Sequence, residues 1–206
     1  KRGVGPVALL PLQKALGALD RSQTPAQWLA QLVHQGLDRL TLPAGGATLQ
    51  RWQALCLVAQ HDLSLAKLYE GHTDALAVMA EVAPGANAVP GATWGMWSAE
   101  APHGRTVLET AGPEGVRLNG AKCWCSGAGH VSHGLLTAWW PDGRGPQLVR
   151  VAMDQPGVSV SHAHWHAVGM AASASIDIVF KGAVGERVGD AGAYLQRPGF
   201  WQGGAG

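Results

Sequence analysis

In Gly115-Val116-Arg117-Leu118-Asn119-Gly120-Ala121-Lys122-Cys123-Trp124-Cys125-Ser126-Gly127, two short runs of strand-forming residues flank Asn119-Gly120, the pair most strongly associated with a two-residue hairpin turn. The expectation is a β-hairpin. After the turn, period-two alternation puts Lys122, Trp124 and Ser126 on one face, with the indole and the hydroxyl one strand step, about 7 Å, apart. That pairing suits a planar heterocycle, because the ring covers its face and the hydroxyl reaches a ring nitrogen at its edge. Taken alone, a strand tryptophan is more often a core residue than a platform.

Further strand-like segments lie at Thr93 to Ser98, Arg105 to Thr110, Leu135 to Trp140, Gln147 to Met153, Val158 to Trp165 and Ser175 to Phe180. Turn sequences such as Gly112-Pro113-Glu114-Gly115 and Pro141-Asp142-Gly143 separate them, and regular short spacing of this kind suggests an antiparallel barrel or sandwich. The first 82 residues read differently. Thr24-Pro25 offers an N-cap with Pro at the first helical position, followed by Trp28, Leu29, Leu32 and Val33 at helical spacing and a stop at Gly36. Thr48 is placed to cap a second helix with Leu49, Trp52, Leu55, Cys56 and Ala59 on one face, and Leu65, Leu68, His72, Leu76 and Met79 mark a third. Leu9 to Leu19 is a weaker helix with Pro11 near its start. The Pro- and Gly-containing run 83–91 marks the boundary. Helices followed by strands, without alternation, predict an α+β protein: an N-terminal helical domain over residues 1–90, a β-barrel domain over residues 91–197, and from residue 198 the entry into a C-terminal helical domain whose body lies outside the sequence.

Composition narrows the function classes. Lys and Arg number 15 against 14 Asp and Glu, with no basic stripe, so nucleic acid is not an expected partner. The run from Cys123 to Pro141 lacks Asp, Glu, Lys and Arg but holds Ser126, His130, Ser132, His133 and three glycines, so it is not a membrane span. Neither does the start show a charged region followed by an apolar one. Cys56, Cys123 and Cys125 cannot all pair, which favours a reducing compartment and a cytoplasmic location. Only 14% of residues are charged, well below the ordinary share of about 25%, which suggests covered surface.

Other chemistry is less well supported. On a continuing strand His162, His164 and His166 would share a face, but same-face neighbours along one strand do not close around an ion, and no zinc spacing is present; no metal is expected. There is no Gly-x-Ser-x-Gly elbow, no phosphate loop and no Gly-x-Gly-x-x-Gly after a strand.

The run Val116 to Gly127 resembles the central strand motif of the acyl-CoA dehydrogenase family, Asn-Gly-x-Lys-x-Trp-x-Ser/Thr. Gly169-Met170-Ala171-Ala172-Ser173-Ala174-Ser175 and the strand after it resemble a later family segment, Trp97-Ser98-Ala99-Glu100 stands at the family's Thr-Glu-Pro stretch, and His61 to Ala66 with Gly71-His72 fit the preceding helices. The resemblance implies a helical domain, a middle β-barrel and a C-terminal four-helix domain with FAD between the last two. It implies that Trp124 packs beside the isoalloxazine, that Ser126 bonds near its N5, that Trp97, Ser98 and Ala99 run along the pyrimidine edge, and that Cys125 belongs to the same cofactor-binding strand. The activity implied is α,β-dehydrogenation of an acyl-CoA thioester. The catalytic Glu would come from the C-terminal domain, and Glu100 is read as structural.

The sequence also departs from the family. Ala99 stands where a hydroxyl residue faces the flavin, Arg105 replaces a serine near the pyrophosphate, and Ala171 replaces an arginine. Arg105, as a charge partner for phosphate, and Ser173 are the substrate-side candidates. Two further readings follow: a flavin monooxygenase or nitroalkane-oxidising relative of the same fold, and a non-catalytic member that binds flavin or acyl-CoA. By family resemblance the protein would be a homodimer or homotetramer and would pass electrons to an electron-transfer flavoprotein or to oxygen.

Overall fold

A computed structural model describes residues 9–85, 88–102, 104–113 and 115–203, the last three by backbone alone. Four helices come first: α1 (Leu9–Gly17), α2 (Pro25–His34), α3 (Thr48–His61) and α4 (Leu63–Val82). Local chemistry explains two of their starts. Thr24 and Gln27 form a reciprocal capping box ahead of Pro25, each side chain accepting from the other residue's amide. Asp62 ends α3 and caps α4, its carboxylate accepting from the Leu65 amide at 2.7 Å. Thr48, by contrast, is the first residue of α3 and makes no side-chain cap.

The expected apolar face of α3 is also turned. Arg51, Ala54 and Val58 are buried, whereas Leu49 and Trp52 are exposed, because α3 presents Trp52 to an open cleft and not to the core. On α4 the anticipated residues Leu65, Leu68, His72 and Met79 are buried.

Among the described residues seven strands follow: β1 (Trp94–Trp97), β2 (Thr106–Thr110), β3 (Gly115–Ser126), β4 (His133–Trp139), β5 (Pro146–Ala152), β6 (Val158–Ser161) and β7 (Ser175–Val188). The protein is therefore α+β. Pairings β2–β3, β3–β7, β7–β5 and β5–β4 are antiparallel, and a parallel contact of Val107 with Trp139 joins β4 back to β2, closing a five-stranded ring. β6 adds to β7. β1 lies parallel to β4 beside that closure, so the barrel is mixed rather than purely antiparallel. Parallel pairing requires a long connection, and β2 and β3 supply it here.

β3 corrects the expected hairpin. Asn119-Gly120 is no turn, since the strand runs straight through and its pairing with β7 slips between Leu118 and Asn119. The residue skipped is Gly182 of β7, at φ +68°; Gly120, at φ +107°, stays paired with Phe180, and a Cβ there would fall 2.1 Å from the Arg105 carbonyl oxygen. Asn119 serves the bulge opposite, its side-chain carbonyl accepting from the Gly182 amide at 2.8 Å. A second slip lies between Lys122 and Cys125.

Apolar side chains of α1 to α4 and of the barrel join in one cluster, with Leu12, Leu32 and Leu65 packed in the same body as Trp97, Leu118 and Ile178. A second cluster sets Val78 and Met79 of α4 against Trp94, Leu135 and Leu148. His72 ties the halves together: its Nδ1 accepts from the Trp94 amide at 3.1 Å, leaving Nε2 to donate to Asp38 at 3.0 Å. Short helices α5 (Ala193–Gln196) and α6 (Pro198–Gly203) follow β7. Among the described residues no helix is long and apolar enough to cross a membrane.

Candidate functional site

A cleft of about 800 Å³ opens where the faces of α3 and α4 meet the barrel. Its barrel wall is Met96, Trp97, Ser98, Ala99, Trp124 and Ser126; its helical wall is Thr48, Arg51, Trp52 and Leu55 of α3 with Lys67, Glu70 and Asp74 of α4; and Tyr194, Arg197 and Phe200 stand at one side. Five of the six residues expected at a flavin thus meet in one place. Cys125 does not join them: it is fully buried, and its thiol donates to the Lys122 carbonyl at 3.3 Å. Burial pushes that thiol above its ordinary pKa.

The slip in β3 builds the barrel wall. Lys122 is almost wholly buried while Trp124 is 53% exposed, so the two do not share the face that strict alternation predicts. Trp124 takes the extra position at φ +58°, the left-handed region that non-glycine residues rarely enter. Its amide donates to Asp177 at 3.3 Å. Burial pushes the Asp177 carboxyl up, but hydrogen bonds from His164 and from the Trp124 amide outweigh it and hold the carboxyl below its ordinary range. An anionic Asp177 therefore anchors the bulge. Ser126 Oγ lies 2.7 Å from Ser175 Oγ, and when Ser175 donates, the Ser126 proton is left for the cleft.

Trp97 is buried except for an edge on the cleft. Its ring lies over the cross-strand pair Gly95 and Gly134, where added Cβ atoms would come within 2.3 and 2.1 Å, and its Nε1 donates to the Ser126 carbonyl at 3.1 Å. Ser98 is held by Tyr194, hydroxyl to hydroxyl at 2.9 Å.

Glu100 and Lys122 explain one another. Lys122 Nζ donates to Glu100 Oε1 at 2.7 Å and to the Thr137 hydroxyl at 2.9 Å, and that hydroxyl donates to the same carboxylate at 2.7 Å. Burial pushes the Glu100 carboxyl up, but the Lys122 and Thr137 hydrogen bonds outweigh it and hold the group below its ordinary range. The pair fixes the chain just beyond Ala99.

The substrate-side candidates lie elsewhere. Arg105 stacks on the Trp139 ring at 4.2 Å, and Ser173 is buried, its carbonyl accepting from Gly127; neither lines the cleft. β6 ends at Ser161, so the histidines at 162, 164 and 166 are exposed in a turn rather than aligned on a strand. His164 Nδ1 lies 2.7 Å from Asp177. Among the described residues no group of three His, Cys, Asp or Glu side chains is disposed to hold a metal. Residues 86–87 of the expected boundary, His103, Glu114 of the expected turn, and residues 204–206 of the expected C-terminal entry fall outside the described residues.

The helical wall carries charge that the motif did not predict. Lys67, Glu70 and Asp74 recur three and four residues apart, one face of a helix. Lys67 pairs with Glu70 at 2.7 Å. Arg197 binds Glu81 at 2.9 Å and faces Asp74 at 3.8 Å, and its buried Nε has no hydrogen-bond partner among the described residues. Burial pushes the Asp74 carboxyl up, with the Arg197 charge drawing it partly back.

No family model and no curated protein matches the chain. Solved structures do. Dibenzothiophene monooxygenase TdsC from Paenibacillus sp. A11-2 superposes with a TM-score of 0.68 at 23% identity, over 91% of this chain and 53% of that one; TdsC has also been solved with FMN, and with FMN and indole. Methanesulfinate monooxygenase MsuC from Pseudomonas fluorescens matches with a TM-score of 0.68 at 20% identity, over 91% and 52%. FkbI, of methoxymalonyl extender-unit biosynthesis, gives 0.73 at 17% identity, over 91% and 62%. The chain thus spans between half and two thirds of these proteins, and the likeness is one of fold.

Proposed function

We propose that this chain forms the helical and barrel walls of a flavin-dependent oxidoreductase of the monooxygenase type, with the isoalloxazine ring of the flavin against Trp124 and Ser126. The observation that carries the reading is the half-exposed Trp124 indole, held out of the barrel at a left-handed backbone position beside Ser126 and residues 97–99, on the concave wall of one cleft. Strained residues that structure holds in place concentrate at functional sites. The fold likeness to TdsC and MsuC, both monooxygenases, favours oxygen chemistry over the acyl-CoA dehydrogenation that the strand motif suggests.

The residues present fit the group. A flat ring finds an indole for its face, a hydroxyl whose proton is free when Ser175 donates, and the backbone beyond Trp97, stiffened by Glu100 and Lys122, for its edge. The fit concerns the ring common to FMN and FAD; FMN is the form found in TdsC. Bound there, the flavin supplies the redox chemistry, while the protein binds it, orients it and excludes water.

Purified full-length protein should bind FMN or FAD with a shifted visible absorbance, and Trp124→Ala should weaken that binding about tenfold, as expected for loss of one stacked ring. Colourless protein that takes up neither flavin overturns the flavoenzyme readings, and unchanged affinity in Trp124→Ala removes the platform role. Anaerobic bleaching by an acyl-CoA would restore dehydrogenation as the activity.

A further inference from the structure

The α3 side of the cleft holds a buried cation that the protein leaves without a carboxylate. Arg51 is 9% exposed and lines the cleft. Its Nη1 donates to the Thr41 carbonyl at 3.2 Å, and this is its one hydrogen bond among the described residues. The Nε–Nη2 edge makes no hydrogen bond among the described residues, and neither atom is among the buried unpartnered ones, so that edge is not sealed from solvent in a residue that lines the cleft. Two carboxylates are near enough to act on Arg51 electrostatically, Asp74 and Glu70. Both are engaged: Glu70 by Lys67 at 2.7 Å, and Asp74 by Arg197 at 3.8 Å. Burial accordingly pushes the Arg51 guanidinium below its ordinary value. A desolvated cation with no carboxylate in hydrogen-bond contact is costly, and the free edge of a guanidinium matches a carboxylate through two parallel hydrogen bonds.

The next residue says what accompanies the anion. Trp52 is 52% exposed on the same wall, and Leu55 continues it. Thr48, Arg51, Trp52 and Leu55 form one stripe of α3 facing the barrel wall that carries Trp124. We propose that this stripe is the substrate subsite of the cleft and takes an aromatic carboxylate, the carboxylate on the Nε–Nη2 edge of Arg51 and the ring against Trp52 and Leu55. The inference rests on the preceding reading in taking the cleft as a ligand site, but its test reads ligand charge and not flavin.

The test compares benzoate with its neutral isostere benzamide by calorimetric titration of the full-length protein, with FMN uptake recorded on the same samples. Benzoate should bind at least about tenfold more tightly, the range of a hydrogen-bonded charge. Arg51→Gln should bring the two ligands within twofold. Because that change touches a buried residue, Thr48→Asp supplies the second variant: an acidic residue in the first turn favours the helix, while its charge should narrow the preference for benzoate over benzamide about fivefold. Equal binding of the two ligands, binding of neither at millimolar concentration, or a preference that survives both substitutions overturns the proposal. Protein that takes up FMN without preferring benzoate loses this inference and keeps the flavin reading; protein that prefers benzoate without taking up FMN does the reverse.

Discussion

Gly134→Ala isolates the packing that sets the barrel wall. Gly134 is the cross-strand partner of Gly95, and the Trp97 ring lies over both. Gly134 is not at positive φ, so the backbone accepts alanine and the ring alone opposes it. The new Cβ would come 2.1 Å from Trp97 Cζ3, whereas ordinary contact begins at 3.4 Å, so the ring must retreat by about 1.3 Å. It is 3% exposed and its Nε1 is fixed on the Ser126 carbonyl. Overpacking costs about 1–3 kcal/mol and a strained or lost buried hydrogen bond about 1–3 more, so a destabilisation of about 3 kcal/mol is expected. For a chain of this size that lowers Tm by roughly 6–12 °C. The assay is calorimetric or circular-dichroism melting of Gly134→Ala, Trp97→Leu and the double variant. Trp97→Leu leaves a cavity and costs about 3 kcal/mol alone, but it removes the obstacle, so Gly134→Ala on that background should cost less than about 0.5 kcal/mol. An equal loss on both backgrounds refutes the reasoning and assigns the glycine to some need of the strand itself.

Glu100→Gln should destabilise the protein by about 1–2 kcal/mol, since Lys122 is buried but the Glu100 carboxylate is 38% exposed and partly screened by solvent. Because the folded carboxyl lies below its ordinary range, the wild type carries this stabilisation above the unfolded pKa and loses it as pH falls through the folded one. The variant's melting temperature should therefore converge on that of wild type in acid, as checked by melts from pH 7 down to 3. Trp124→Ala should weaken flavin binding, read by visible absorbance. Arg51→Gln and Thr48→Asp should reduce the preference for benzoate over benzamide, read by titration.

Features that depend on neighbours in sequence were legible. The capping box at Thr24 and Gln27 is written within four residues, and the α+β division follows from a change of hydrophobic period near residue 83. So was the gathering of Trp97, Ser98, Ala99, Trp124 and Ser126, because motif order carries spatial information that periodicity lacks. The parallel pairing of β1 with β4 was not, since it joins residues about forty positions apart through no local signal. Alternation failed in β3 for a specific reason: a bulge resets the period, so Lys122 turns inward and Trp124 outward although they are two residues apart. The charged stripe of α4 stands at helical spacing, yet such a stripe is equally a solvated face, and only the barrel wall opposite makes it part of a cleft. Arg105 shows the converse, since a replacement that suggested phosphate turns out to rest on Trp139.

The bulge at Trp124 ties the site to a cost in stability. A strand with unbroken alternation would send the indole to the same side as Lys122, into the barrel, and the cleft would lose its ring. Exposing it requires a non-glycine residue at φ +58°, which costs about 1–2 kcal/mol. The hydrogen bond from its amide to Asp177 offsets part of this. If the strained backbone serves to display the ring, the two can be separated with a pair of variants that both lack it. Trp124→Gly relieves the strain and Trp124→Ala retains it, so the glycine variant should be the more stable by about 1 kcal/mol, while both lose flavin affinity to the same extent. Melting temperature and flavin titration on the same two samples decide the matter. An alanine variant as stable as the glycine one means that the left-handed position carries no strain, and a glycine variant that keeps its flavin means that the ring is not what the bulge displays.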